Sequence, residues 1–234
     1  MESTSTLWAY FMPVTEIPAE FTPGGGKRID RYLVHEVRSI CGEAPSSLRK
    51  GMGFARIESG SPIPFSGGSQ AEPPGGFPLR GVVQHLHYTA GSERSELEKI
   101  SLLEPDRSAE TMAVLIPIGK SPAWWRLSQD GRQVLFQKTP RHEGHLGIGR
   151  KYADRIFRRL YHTRYLDPSA PYDFLTYFEF DEVNAPDFRK MISELRDIKN
   201  NPEWLYVDFE YEIWMTHLSS AVEPISTKPT FLAG

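Results

Sequence analysis

The segment from Trp204 to Met215 alternates through its centre. Leu205, Val207, Phe209, Tyr211, Ile213 and Met215 fall on one side, and Asp208, Glu210 and Glu212 on the other. A period of two over this length predicts a half-buried antiparallel strand. Such a strand needs a layer to cover its apolar face, which points to an α+β class. Other aromatic and β-branched runs predict strands at residues 7–14, 80–89, 111–118 and 172–180. Helical spacing appears in four places. Ile29, Leu33, Val34, Val37 and Ile40 predict a helix over 27–41. Ser121 as cap and Pro122 in the first turn open a helix over 122–137. Ile148, Tyr152, Ile156 and Leu160, each four apart, predict a helix that carries Arg158. Phe188, Met191, Ile192 and Leu195 predict a helix over 185–198. A short helix is also expected over 92–103.

The order of elements reads as two ferredoxin-like halves, each laying helices on one face of an antiparallel sheet. Together they make an α+β barrel-like subunit. The first half covers residues 1–110, the second 111–218, and 219–234 forms a loose tail. Residues 43–79 are dense in Pro, Gly and Ser and read as an insertion loop.

Composition excludes several classes. A net charge of -3 over 234 residues gives no nucleic-acid surface. No apolar stretch approaches the roughly 18 residues of a membrane span. The run from Leu7 to Val14 is too short and wrongly flanked for a signal peptide, so a cytoplasmic protein is expected. Cys41 is the only cysteine, so no intrachain disulfide forms. No Cys-x-x-Cys-His exists to attach a haem covalently.

Seven histidines are few enough to weigh singly. His142-Glu-Gly-His145 is one residue short of the zinc-protease spacing and holds a helix-breaking Gly144. His85 and His87 share a strand face, which is ordinarily surface. A histidine in a glycine-rich turn can reach into a cavity, and a following arginine can be brought to the same cavity. Taken one by one, the residues define an α+β domain with a basic and aromatic pocket.

Several blocks in order carry a more specific signal. They are Ile116-Pro-Ile-Gly-Lys-Ser-Pro-Ala-Trp-Trp-Arg-Leu-Ser128 and His145-x-x-Ile148-Gly-Arg-x-Tyr-Ala153. Further on come Arg158-Arg-Leu-Tyr-His162, Asp173-Phe-Leu-Thr-Tyr-Phe-Glu179 and Glu203-Trp-x-Tyr-Val207. Across residues 111–216 the chain resembles the chlorite dismutase family of haem proteins, which includes coproheme decarboxylases.

The resemblance implies a non-covalent haem b, with His145 as proximal iron ligand and Arg158 as the distal, anion-holding catalytic residue. It implies that Glu203, or else Asn200, hydrogen-bonds the proximal histidine. Lys120 and Trp124 would hold a propionate and pack on the macrocycle, Thr176 would offer a distal hydroxyl, and Ile148 and Tyr152 would line the cofactor. The implied reaction converts chlorite to chloride and dioxygen, in a homo-oligomer that is a dimer or a pentamer. The position of the reactive tyrosine of coproheme decarboxylases is Ile116 here, and Arg158 stands where they often carry glutamine. Both differences favour the chlorite reaction. Coproheme decarboxylation or other peroxidase-like haem chemistry, a non-enzymatic haem-binding protein, and a cofactor-free ferredoxin-like dimer remain the alternatives.

Overall fold

The computed structural model describes residues 7–14, 28–63, 77–83, 108, 110–166 and 169–218. Eight antiparallel strands close into a barrel: β1 (Leu7–Pro13), β2 (Arg28–Cys41), β3 (Gly53–Ser59), β4 (Leu79–Val83), β5 (Thr111–Lys120), β6 (Phe157–His162), β7 (Phe174–Asp181) and β8 (Val207–His217). Their order around the barrel is β1-β3-β2-β8-β5-β7-β6-β4. Each half repeats one permutation, β4-β1-β3-β2 and then β8-β5-β7-β6. The helices among the described residues are α1 (Pro122–Arg126), α2 (Gln129–Phe136), α3 (Gly144–Arg150) and α4 (Ala185–Arg196). None is long and apolar enough to cross a membrane.

One apolar cluster fills the barrel, with Phe11, Tyr32, Phe54, Leu115, Tyr161, Tyr177, Tyr211 and Ile213 among its members. A second lies outside, where α3 and α4 cover the β5–β7–β8 face. It joins Val114, Ile116, Ile148, Tyr152, Phe178, Phe188 and Trp214.

Three sequence expectations need correction. Residues 28–41 form a strand, not a helix. The inward row is Asp30, Tyr32 and Val34. The helically spaced Leu33 and Ile40 stay 41% and 38% exposed. A buried Asp30 and two bulges, between Val34 and Glu36 and between Ser39 and Cys41, hide the period of two. The supposed insertion loop contains β3. It went unseen because Arg56 and Glu58 point into the barrel, against the usual pattern. The helix expected through Arg158 stops at Arg150, and Arg158 lies on β6. Ile148, Tyr152 and Ile156 still bury together at 0%, 3% and 4% exposure, across a helix and the turn after it.

Two smaller differences follow the same logic. The helix expected over 122–137 breaks at Leu127, where Ser128 starts a new cap by accepting from the Gly131 N–H. Glu210 and Glu212, on the acidic side of β8, are 3% and 2% exposed. Arg196 of α4 binds both, at 2.6 and 2.5 Å, and Trp214 donates to Glu212 at 2.6 Å. His85, His87 and the 92–103 helix lie outside the described residues.

The barrel interior holds a charged network. Arg56 is fully buried and lies 2.5 Å from Glu58, 3.4 Å from Asp30 and 4.0 Å from Glu179. Tyr161 donates to Glu58 at 2.7 Å, and Tyr32 to Glu179 at 3.0 Å. Burial pushes the Asp30 carboxyl up to about 6, against the pull of Arg56. A raised folded pKa means the native state binds more protons between about 4 and about 6. The contribution of Asp30 to stability therefore falls as pH rises through that window. Asp30→Asn removes that dependence. Its melting temperature should gain on that of the wild type between pH values of about 4 and about 7; parallel curves would show that Asp30 titrates normally.

Candidate functional site

The site lies outside the barrel, against β5, β6 and β7. Register places Arg158 opposite Phe178 and Leu160 opposite Thr176, so these four share one sheet face. Ile116 pairs with Thr176 and lies on the same face of β5. α1 packs on β5, while α2 and α3 pack on each other and on the short 3-10 turn Pro202–Tyr206, and Ile148 of α3 joins the apolar cluster on this face.

His145 is the second residue of α3. Gly144 ahead of it has φ +61°, and a Cβ there would meet the Phe136 carbonyl oxygen at 2.4 Å and that of Gln137 at 2.6 Å. Only glycine makes this entry without strain. The Gly144 N–H donates to the Asn200 carbonyl at 3.0 Å, which ties the His145 turn to the segment before Glu203. Gly144→Ala is expected to lose roughly 2–4 kcal/mol, through strain and a backbone clash. Thermal melts check this, and an unchanged melting temperature would show that the turn can relax.

The His145 ring is pinned on two sides. Its Nδ1 hydrogen-bonds Glu203 Oε2, and Phe136 stacks on it at 5.3 Å with 24° between planes. Nε2 has no hydrogen bond to any described residue. Glu203 is 9% exposed, and Lys120 Nζ donates to its other oxygen at 2.8 Å. Burial works to raise the Glu203 carboxyl. The charge of Lys120 and then that of His145 overcome this and hold it well below the usual carboxylate range. Lys120 in turn lies 4.6 Å from the Trp124 ring, which packs against Tyr206 at 5.6 Å. Lysine, glutamate and histidine thus form one hydrogen-bonded chain centred on a buried carboxylate.

Arg158 has no hydrogen bond or ion pair to a described residue. Its side chain is exposed, yet surrounding protein lowers its pKa by desolvation, opposed by the charge of Glu203. The field of Glu203 reaches both Arg158 and His145.

The structure therefore brings His145, Glu203, Lys120 and Trp124 together and sets Arg158 and Thr176 on the facing sheet. Of the two residues competing for His145, Glu203 supplies the side chain and Asn200 only its carbonyl. Lys120 spends its ammonium on Glu203, a partnership the sequence did not reveal. Ile148 and Tyr152 are core residues behind the site; the Tyr152 hydroxyl donates to Glu194 at 2.9 Å. His142 is a turn residue, its Nδ1 beside Thr139 and its Nε2 beside the Val134 carbonyl. No group of three metal-ligating side chains occurs among the described residues. The sequence assigned no site role to Phe136, which ends the helix just ahead of the histidine turn and stacks on His145, or to Asp173, which accepts from the Lys120 backbone N–H.

An imidazole with one nitrogen bound to a carboxylate and the other unbonded is the donor a haem iron takes. The residues present fit that group.

No protein-family model matches the chain. A curated chlorite dismutase from Ideonella dechloratans is 27% identical over 124 residues, which is 53% of this chain and 40% of that protein. The match thus spans less than half the length of that relative. Among solved structures, the dimeric chlorite dismutase of Nitrobacter winogradskyi superposes with a TM-score of 0.64 at 27% identity, covering 89% of this chain and 99% of that one. Chlorite dismutase from Candidatus Nitrospira defluvii in complex with imidazole gives 0.59 at 18% identity, covering 93% of each chain. This barrel, this histidine chain and these likenesses make the chain similar to the chlorite dismutases in both sequence and fold.

Proposed function

We propose that the protein is a haem b enzyme that converts chlorite to chloride and dioxygen. The observation that carries this reading is the hydrogen-bonded His145–Glu203–Lys120 chain within the electrostatic reach of Arg158. His145 would hold the iron through Nε2. Glu203 fixes the imidazole tautomer with Nδ1–H toward the carboxylate and makes the ring a stronger donor. Lys120 keeps Glu203 ionised, so that the proton stays on His145 Nδ1. Trp124 would pack beside the macrocycle, and Thr176 would offer a hydroxyl on the sheet side. A bound haem would supply the redox chemistry that turns chlorite into chloride and dioxygen.

Arg158 binds and orients the small oxyanion. A guanidinium stays charged where desolvation would neutralise an ammonium, and it offers several coplanar donors. A neutral partner in its place would leave an anion in a poorly solvated site without compensation. Ile116 is 2% exposed in the outer core, so the strand position of the decarboxylase tyrosine carries no phenol. That favours chlorite over coproheme as the substrate. The repeated strand permutation supports two ferredoxin-like halves. The dimeric state named for the Nitrobacter protein supports a homodimer.

An oxygen electrode tests the reaction. Haem-loaded protein should release dioxygen on addition of chlorite. Arg158→Ala should lower kcat about 100- to 1000-fold, as loss of one oxyanion donor does. Full activity in the variant would remove Arg158 from the mechanism. A Soret band without turnover of chlorite or peroxide would make the protein a haem binder, and loss of carboxyl mass from bound coproheme after peroxide would make it a decarboxylase.

A further inference from the structure

Trp125, next to Trp124 but not part of the histidine chain, has two guanidiniums close to its ring. Arg164 Cζ lies 3.9 Å from the centre of its ring and Arg132 Cζ 5.6 Å. Phe174 stacks on the same indole at 6.1 Å with 22° between planes. Phe174 shares the sheet face of Thr176 and Phe178, and His162 meets it edge-on at 5.2 Å. His162 is four residues from Arg158 on one face of β6, about 13 Å along the strand. The cluster therefore borders the candidate site at its Lys120 end.

The acid at this cluster is fully engaged. Asp173 Oδ1 takes Arg164 at 2.7 Å, and Oδ2 takes the Lys120 backbone N–H at 2.6 Å and Trp125 Nε1 at 3.4 Å. Asp173 thus balances Arg164. Arg132 has no ion pair to a described residue, and its Nε is enclosed without an acceptor. An enclosed N–H with no acceptor is costly, and a bound anion would supply one. Among the described residues of the cluster, two arginines against one aspartate leave a local excess of one positive charge in a chain of net charge -3. Stacking on an indole holds guanidinium planes in place and leaves their N–H edges free to bind. Solvated arginines covering a tryptophan would not need the enclosed Nε.

We propose that Arg132 and Arg164, set around Trp125, form a second anion-binding site that takes a small oxyanion or a carboxylate. Two sources share this chemistry: a free oxyanion gathered at the margin of the site, or a carboxylate of the bound cofactor. The choice of source rests on the haem reading; the existence of the anion site does not.

Iodide serves as the probe. In crystals of the full chain without haem, an iodide anomalous peak is expected between Arg132 and Arg164. In solution, the Trp125 share of fluorescence, isolated by comparison with Trp125→Phe, should be quenched by iodide about threefold more strongly at low salt than in R132Q/R164Q. Acrylamide quenching should stay the same in both, showing that the indole environment is kept. In haem-loaded crystals, loss of the peak to a cofactor carboxylate assigns the site to the cofactor, and persistence of the peak assigns it to a free oxyanion. No peak in haem-free crystals, or equal iodide quenching with and without the two arginines, overturns the proposal. A chain that takes up no haem but binds iodide here would sink the haem reading and leave the anion site standing.

Discussion

His145→Ala is expected to leave a folded protein whose affinity for haem is lower by a factor on the order of a hundred or more. Glu203→Gln should lose about ten- to hundredfold. The reason lies in how differently the two changes act on one chain of contacts. Alanine removes the only unbonded ring nitrogen that the site presents between Phe136 and Glu203. Glutamine keeps a hydrogen-bond acceptor for Nδ1 but drops the charge. It also leaves the Lys120 ammonium, 6% exposed, without its counter-ion. The order of losses, His145 above Glu203, is thus a signature of ligation. A structural role would reverse it, because breaking the buried lysine–glutamate pair disturbs packing more than trimming a ring that is 23% exposed. Haem titration followed in the Soret region, with a circular dichroism melt beside it, separates the two. Equal haem affinity in wild type and His145→Ala would end the ligand assignment.

The second large effect belongs to the barrel interior. Arg56→Met should cost about 3–5 kcal/mol, because it strands Asp30, Glu58 and Glu179 where water does not reach. For a chain of this size that corresponds to a fall in melting temperature of roughly 6–20 °C. The deficit should grow with pH. Asp30 and Glu179 already titrate high because burial outweighs Arg56, and without it their folded pKa values rise further. A raised carboxyl pKa contributes less stability as pH climbs, so the variant should recover near a pH of about 5 and suffer most above about 7. A small, pH-independent loss would mean that the carboxylates relax to other partners. A double change with Glu58→Gln would then show how much Arg159 carries, since it also binds Glu58, at 2.9 Å.

The same interior explains which parts of the fold could be read from sequence. Strands with apolar inward rows, such as Ala113, Leu115 and the Tyr211–Ile213–Met215 row, announce themselves by alternation. β2 and β3 do not, because their inward rows contain Asp30, Arg56 and Glu58, and buried charge defeats a rule built on hydrophobicity. The break after α3 was hidden for the opposite reason. Ile148, Tyr152 and Ile156 keep helical spacing and do pack together, but a tight turn delivers Ile156 to the cluster as well as another helical turn would have done. Within the site, the histidine was legible from its glycine-rich setting, and the family blocks supplied Arg158 and Glu203. The bond from Lys120 to Glu203 spans 83 positions and had no local signature. Trp125 and its two arginines were equally silent, being joined only by the curvature that brings α1, α2 and the end of β6 to one place.

Arg158 is carried by a strand rather than by a loop. β6 and β7 share six register pairs, and Arg158 sits opposite Phe178 within them. Its Cα is therefore fixed by ladder hydrogen bonds, so the guanidinium needs no protein carboxylate to hold it in place and keeps its donors for an incoming anion.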